Sequence, residues 1–301
     1  MNWKMAGMAS TALVAVALSG VTAVAGANKF TGNVSLAVGQ SFEDDDLGGS
    51  VFDDSFTSIT GDANVNVAFS NNINLQLNFI GVGSFADDGG EAFSLDRQAG
   101  FQGAAHLYWR DSDRGAIGIF GGAGISSGPE IIFEEVSAEY YFAGVEGQYY
   151  WKNFTFGLAG GYLDSSSDDS FSSRDDLFLN SAWFANAEVR WYATPKVALS
   201  ANVGYISGEA AFDNADVDVL HWGAKAEYWP EEKEPLSLWV GYEGRDTNAD
   251  FGVGSEVDKQ VHTVKIGLTI HFGVDEGNSQ AQDRHGPAFN QMDYGAIVVG
   301  G

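Results

Sequence analysis

The stretch QVHTVKIGLTIHF, residues 260–272, decides the fold. From Val264 its residues alternate without a fault. Val264, Ile266, Leu268, Ile270 and Phe272 point one way, and Thr263, Lys265, Gly267, Thr269 and His271 point the other. Such a period of two marks a strand with one apolar and one polar face. In a soluble sandwich the polar face meets bulk water and the apolar face meets a core. A membrane barrel inverts this, with lipid outside and a polar lumen inside.

About twelve segments of this kind follow one another, near 29–40, 57–69, 73–84, 101–110, 115–124, 138–151, 153–163, 178–193, 196–206, 217–229, 235–245 and 260–272. Apolar sets such as Val34, Leu36, Val38 or Ile73, Leu75, Leu77, Phe79 are backed by Asn33, Ser35 or Asn74, Gln76, Asn78. A dry core would bury these amides at a cost of several kcal/mol each if they lacked partners, an objection that a polar interior removes. Short connections at 70–72, 111–114, 152–153, 193–195 and 230–234 alternate with long ones at 41–55, 86–100, 125–135, 164–176, 207–216 and 246–258. Short periplasmic turns opposite long outer loops are the asymmetry of an outer-membrane barrel.

Aromatic residues mark both edges of the lipid-facing band. Trp109, Tyr149, Trp151, Trp191, Tyr228 and Phe272 end the strands that run into short turns. Phe101, Tyr141, Tyr162, Trp183, Tyr205, Trp222 and Tyr242 occupy the opposite strand ends on the same face. Trp183 and Trp191 are separated by about 20 Å along a tilted strand, close to the ~25 Å of an apolar belt. The fold class expected is therefore all-β, a transmembrane antiparallel up-and-down barrel of about twelve strands.

Lys4, the Ala-rich apolar run 8–18 and the small residues at 23–27 read as a signal peptide over 1–27, ahead of a barrel over 28–272 and a polar tail over 273–301. Removing Lys4 leaves 14 of the 15 basic residues against 41 acidic ones, a mature charge of −27. The chain contains no Cys, which excludes thiol chemistry and thiolate metal sites.

The alternation, the girdles and the closing strand resemble those of the outer-membrane β-barrel proteins of Gram-negative bacteria, including porins. The resemblance spans residues 29–272. It implies that the segment 263–272 is similar to the assembly signal read by the barrel-assembly machinery, with Phe272 as its terminal aromatic. In the family that aromatic is usually the last residue, whereas here 29 residues follow it. The expected partners are outer-membrane lipids, lipopolysaccharide and small hydrophilic solutes or ions, with no nucleic acid. In porins the third loop folds into the pore, so Ile131, Ile132 and Phe133 carry either that role or an extension of the next strand.

Strand parity sends Arg110, Arg190, Lys225, Arg245 and Lys265 inward with Glu146, Glu188, Glu227 and Glu243. These nine nearly cancel, and they are the expected pore-lining residues. Pairs such as Glu188 with Arg190 and Lys225 with Glu227 can equally neutralise each other and brace a filled interior. The acidic excess falls in 43–46, 53–54, 87–88, 134–135, 168–169 and 175–176, where it would form a vestibule that concentrates cations. Divalent cations bridging to lipopolysaccharide would suit the same carboxylates. Eight strands make a filled barrel and about sixteen a wide channel, so about twelve allows either.

His262 faces lipid near the outer rim without a Ser at its height. His106, His221 and His271 face inward on strands that are not neighbours. No catalytic residue, metal site or cofactor is expected. The function expected is a porin-like passive channel, the alternative a non-conducting structural or adhesin-type barrel. For residues 273–301 the expectation is a flexible periplasmic tail, with a lumen plug or an added edge strand as alternatives.

Overall fold

The computed structural model describes residues 29–47, 50–69, 72–86, 98–127, 137–167, 179–210, 215–230, 235–250, 256–274 and 278–298. Twelve antiparallel strands form one closed barrel, each paired with its sequence neighbours and the last with the first. They are β1 (Lys29–Leu47), β2 (Ser50–Ala68), β3 (Ile73–Ala86), β4 (Gln98–Asp111), β5 (Gly115–Ser127), β6 (Ser137–Trp151), β7 (Phe154–Ser167), β8 (Leu179–Thr194), β9 (Val197–Ala210), β10 (Asp216–Tyr228), β11 (Leu236–Asp250) and β12 (Glu256–Phe272). Closure runs from Gly32 opposite Phe272 to Leu47 opposite Val257. No sheet edge is left for another chain to add to.

The burial pattern is inside out for a water-soluble protein. Ile266 is 64% exposed, whereas Gln76 is 0% exposed. The apolar face read from the closing strand, including Val264, Leu268 and Ile270, looks outward, and so do the girdle residues Trp109, Tyr149, Trp151, Trp183, Trp191 and Tyr205. Only a hydrocarbon surround makes such a surface favourable.

Short connections are tight as expected. Arg114 N donates to Asp111 O at 3.0 Å, and Phe69 N donates to Ile73 O at 2.8 Å. Lys152 and Asn72 take positive φ values of 53° and 65° in two of these turns. Two connections depart from the sequence reading. Residues 41–55 are no long loop, because β1 and β2 stay paired until Leu47 meets Ser50. Likewise β11 and β12 stay paired to Asp250 and Glu256. The apolar alternation stops where the strands leave the lipid band, but backbone pairing needs no apolar face and continues into water. The signal-peptide residues 1–27, Ile131 to Phe133 and the acidic positions 87–88, 134–135, 168–169 and 175–176 lie outside the described residues.

The C-terminal segment departs from the expected free tail and takes the alternative of a segment inside the lumen. It neither hangs free below the barrel nor adds a strand. It turns into the lumen at Gly273, whose φ of +80° only glycine adopts without strain. A Cβ there would also overlap the carbonyl oxygen of Phe30. Two short helices follow, α1 (Ser279–His285) and α2 (Gly295–Val298). Asn278 caps α1, its side chain accepting from Ala281 N at 2.8 Å.

Candidate functional site: a lumen shared with the C-terminal segment

The segment enters at the short-turn end and runs up one wall. Ser279 N donates to Pro195 O in the β8–β9 turn at 3.1 Å. Gln280 and Arg284 both donate to Lys152 O at 2.6 Å. Arg110 donates to Gly286 O at 2.5 Å and to His285 O at 3.3 Å. Higher up, Gln76 treats the segment as a neighbouring strand would. Its amide donates to Phe289 O at 2.6 Å and accepts from Ala288 N at 2.8 Å. Gln148 donates to Ala288 O at 2.5 Å, and Gln102 donates to Met292 O at 2.8 Å while accepting from Tyr294 N at 3.1 Å. These wall amides satisfy a backbone that has no ladder of its own.

Apolar contacts fix the same path. The Phe289 ring stacks on His106 at 6.0 Å and meets Tyr108 edge-on at 5.1 Å. The Tyr294 ring lies 4.8 Å from Phe142 and 5.0 Å from Phe184. Ile297 and Val298 join a cluster with Phe120, Leu163, Leu179 and Ile206. Parity puts these wall residues on the lumen side, except Leu179, which the β-bulge between Leu179 and Ser181 turns inward, so this half of the inner wall carries apolar side chains among its amides. Gly161 allows it, since the Phe184 ring passes where a Cβ would stand. An apolar residue at a lumen-parity position was the available sequence signal for an internal segment. Phe120, Phe142 and Phe184 each carry it, and the expectation of a free tail overlooked them.

All nine predicted pore-lining residues face inward, but in different settings. Arg110 and Glu146 are buried beneath the segment. Glu146 pairs with His106 at 2.7 Å. Arg190 bonds Glu188 at 2.8 Å and also Asp283 of α1. Lys225 lies 3.5 Å from Glu227 and 4.9 Å above the Trp239 ring. Lys265 donates to Glu243 at 2.6 Å. Arg245 shares this inward face through its register opposite His221. On the β9–β12 side Asn202 and Glu243 remain exposed and Lys225 partly so, whereas the β3–β8 side is filled.

The near balance of inward charge acquires members that parity counting left out. Asp283 and Asp293 arrive with the C-terminal segment, and burial holds the Asp293 carboxyl above the ordinary carboxylate range. Glu43 belongs to the inner face as well. The sequence reading placed it in the outer acidic excess, but it pairs with Lys259 at 2.8 Å at the upper end of the lumen. Alternation simply continues past the lipid band and turns it inward.

Among the described residues no helix is long and apolar enough to cross a membrane, and no group of three or more His, Asp or Glu is placed to hold a metal ion. His262 accepts or donates at 2.8 Å with the Tyr242 hydroxyl on the outer face. At Phe272 the ring stacks on Phe30 at 5.9 Å, across the β1–β12 seam.

Closed strands, an apolar outer belt between two aromatic girdles and an interior that holds buried amides and paired charges are the features of a membrane-spanning barrel. The chain has the fold of an outer-membrane β-barrel. No protein-family model matches it, and no curated protein matches it. Among solved structures it is similar to the translocator domain of the autotransporter NalP from Neisseria meningitidis. That likeness has 14% identity and a TM-score of 0.45, over 89% of this chain and 96% of that one. It is also similar to an outer-membrane channel from Pseudomonas putida F1, at 14% identity and a TM-score of 0.49, over 80% of this chain and 95% of that one. The Pseudomonas putida toluene transporter TodX aligns at 8% identity with a TM-score of 0.40, over 85% of this chain and 93% of that one.

Proposed function

We propose that this barrel is a passive channel for ions or small hydrophilic solutes across the outer membrane, narrowed along one wall by its own C-terminal segment. The observation that carries the reading is the asymmetry of the lumen. Residues of β3–β8 are buried against the segment, while Asn202, Glu243 and Lys225 on β9–β11 stay accessible to water inside the barrel. Paired charges along such a passage give a transverse field that orients polar solutes without a net barrier to either sign. The nine inward charges are proposed as its lining, and Phe272 is proposed as the assembly signal.

The test is single-channel recording of the full chain in a planar bilayer, with reversal potentials under a salt gradient. Discrete conductance steps are expected. Their absence in a preparation that shows heat-modifiable gel migration would remove the channel reading. A second reading is favoured by the extent of the segment's hydrogen bonding. It is a non-conducting structural or adhesin-type barrel, whose acidic outer connections take divalent cations, lipopolysaccharide or another partner.

A further inference from the structure

Asp283 is the one acidic side chain of α1, and it is buried at the inner wall. Three wall residues converge on its carboxylate. Arg190 donates to Oδ1, while Thr155 Oγ1 at 2.8 Å and the Tyr192 hydroxyl both donate to Oδ2. Thr155 and Tyr192 are buried at 4% each and come from adjacent strands, so the arrangement is held by the wall and not by the segment. A guanidinium plus two hydroxyls around two oxygens is a complete receptor for a carboxylate.

The register extends this receptor into the accessible half of the lumen. Arg190 is opposite Ser200, Ser200 opposite Lys225, Lys225 opposite Gly241 and Gly241 opposite Lys265. Arg190, Lys225 and Lys265 therefore occupy one row across β8, β10 and β12. Each has a carboxylate neighbour, Glu188, Glu227 and Glu243 respectively, so the row is a set of exchangeable pairs and not a fixed block of positive charge.

We propose that the Arg190, Thr155 and Tyr192 cluster is a binding site for the carboxylate of a small solute, and that Asp283 is its built-in occupant. This rests on the channel reading and names a solute class for it. A carboxylate passing along the Lys265 and Lys225 row reaches Arg190, and there it competes with Asp283 for the same donors. Because Asp283 is covalently tethered, its effective concentration at the site is on the order of millimolar, so exchange needs solute in that range or above.

Chemical rescue in the full chain tests the site. Asp283→Ala leaves the three wall donors facing an empty carboxylate position. Hydrogen exchange at residues 279–298 should then accelerate at least tenfold. Sodium formate at 100 mM should restore at least half of the lost protection on a logarithmic scale, while sodium chloride at equal ionic strength should not. Adding Arg190→Gln to Asp283→Ala should abolish the formate effect while the strands keep their own protection. Protection unchanged by Asp283→Ala, or restored equally by chloride, would overturn the proposal.

Conductance of the same proteins separates the two readings. Formate-dependent closures of the Asp283→Ala channel support both. Formate-rescued exchange with no conductance in any variant keeps the carboxylate site and removes the channel.

Discussion

Replacing Phe289 by Ala isolates the free energy that seats the C-terminal segment, because Phe289 belongs to no strand. Its ring is 6% exposed, stacked on His106 at 6.0 Å and set edge-on to Tyr108 at 5.1 Å. Truncating a buried Phe to Ala costs about 3–5 kcal/mol in a sealed core. The lower end applies here, since the vacated space borders a lumen that water can enter and no dry cavity has to persist. About 3 kcal/mol multiplies the ratio of unseated to seated segment roughly 150-fold.

Hydrogen exchange resolved by peptide reads this directly. Amides of 286–298 should exchange faster by about two orders of magnitude, while those of β3, β4 and β6, which hold the wall donors, should change little. Gel migration before and after heating should match the parent protein, because every ladder of the closed barrel is intact. Two results would refute the reasoning. Acceleration below about fivefold would mean that the hydrogen bonds from Gln76, Gln102 and Gln148 seat the segment without the ring. Equal acceleration in the strands would mean that barrel and segment open as one cooperative unit.

Gly273→Val should unseat the same segment from its other end, since a β-branched residue resists the +80° φ and would overlap Phe30 O. Proteolysis by trypsin at Arg284 should become rapid while the barrel survives, and a resistant Arg284 would contradict this. On the lipid face, Ile266→Arg should destabilise the barrel by about 2–4 kcal/mol in a reversible urea titration in lipid vesicles. The adjacent inward change Lys265→Ala should cost less than about 1 kcal/mol, because the pair with Glu243 is partly exposed to lumen water. Glu243→Lys should move the reversal potential of the channel toward that of chloride, since it removes the partner of Lys265 and adds a second cation beside it. An unchanged reversal potential would take Glu243 out of the conduction path.

Period two and the aromatic rows were enough to read the barrel from the chain, because each depends only on neighbours along a strand and on the thickness of a bilayer. Val264 faces lipid and Lys265 faces the lumen for the same local reason, and closure of β12 onto β1 follows once no edge is tolerated. The strand ends were less legible. Past the lipid band, in residues such as Glu43, pairing continues without an apolar face to announce it.

The seated segment is harder still, because nothing local distinguishes a polar stretch that hangs in the periplasm from one that lies against a polar wall. What distinguishes them is complementarity between positions far apart in the chain, such as Gln76 with Phe289, 213 apart, and Gln102 with Met292, 190 apart. That complementarity leaves a mark on the wall strands. A lumen that only had to hold water has no use for Phe120, Phe142 and Phe184 on its inner face, and burying them requires an apolar partner from inside the barrel. Tyr294 and Ile297 supply it, and they lie beyond the closing strand. Residues 278–298 are therefore part of the barrel's interior, and any solute that crosses must pass between them and the row of Lys225 and Lys265.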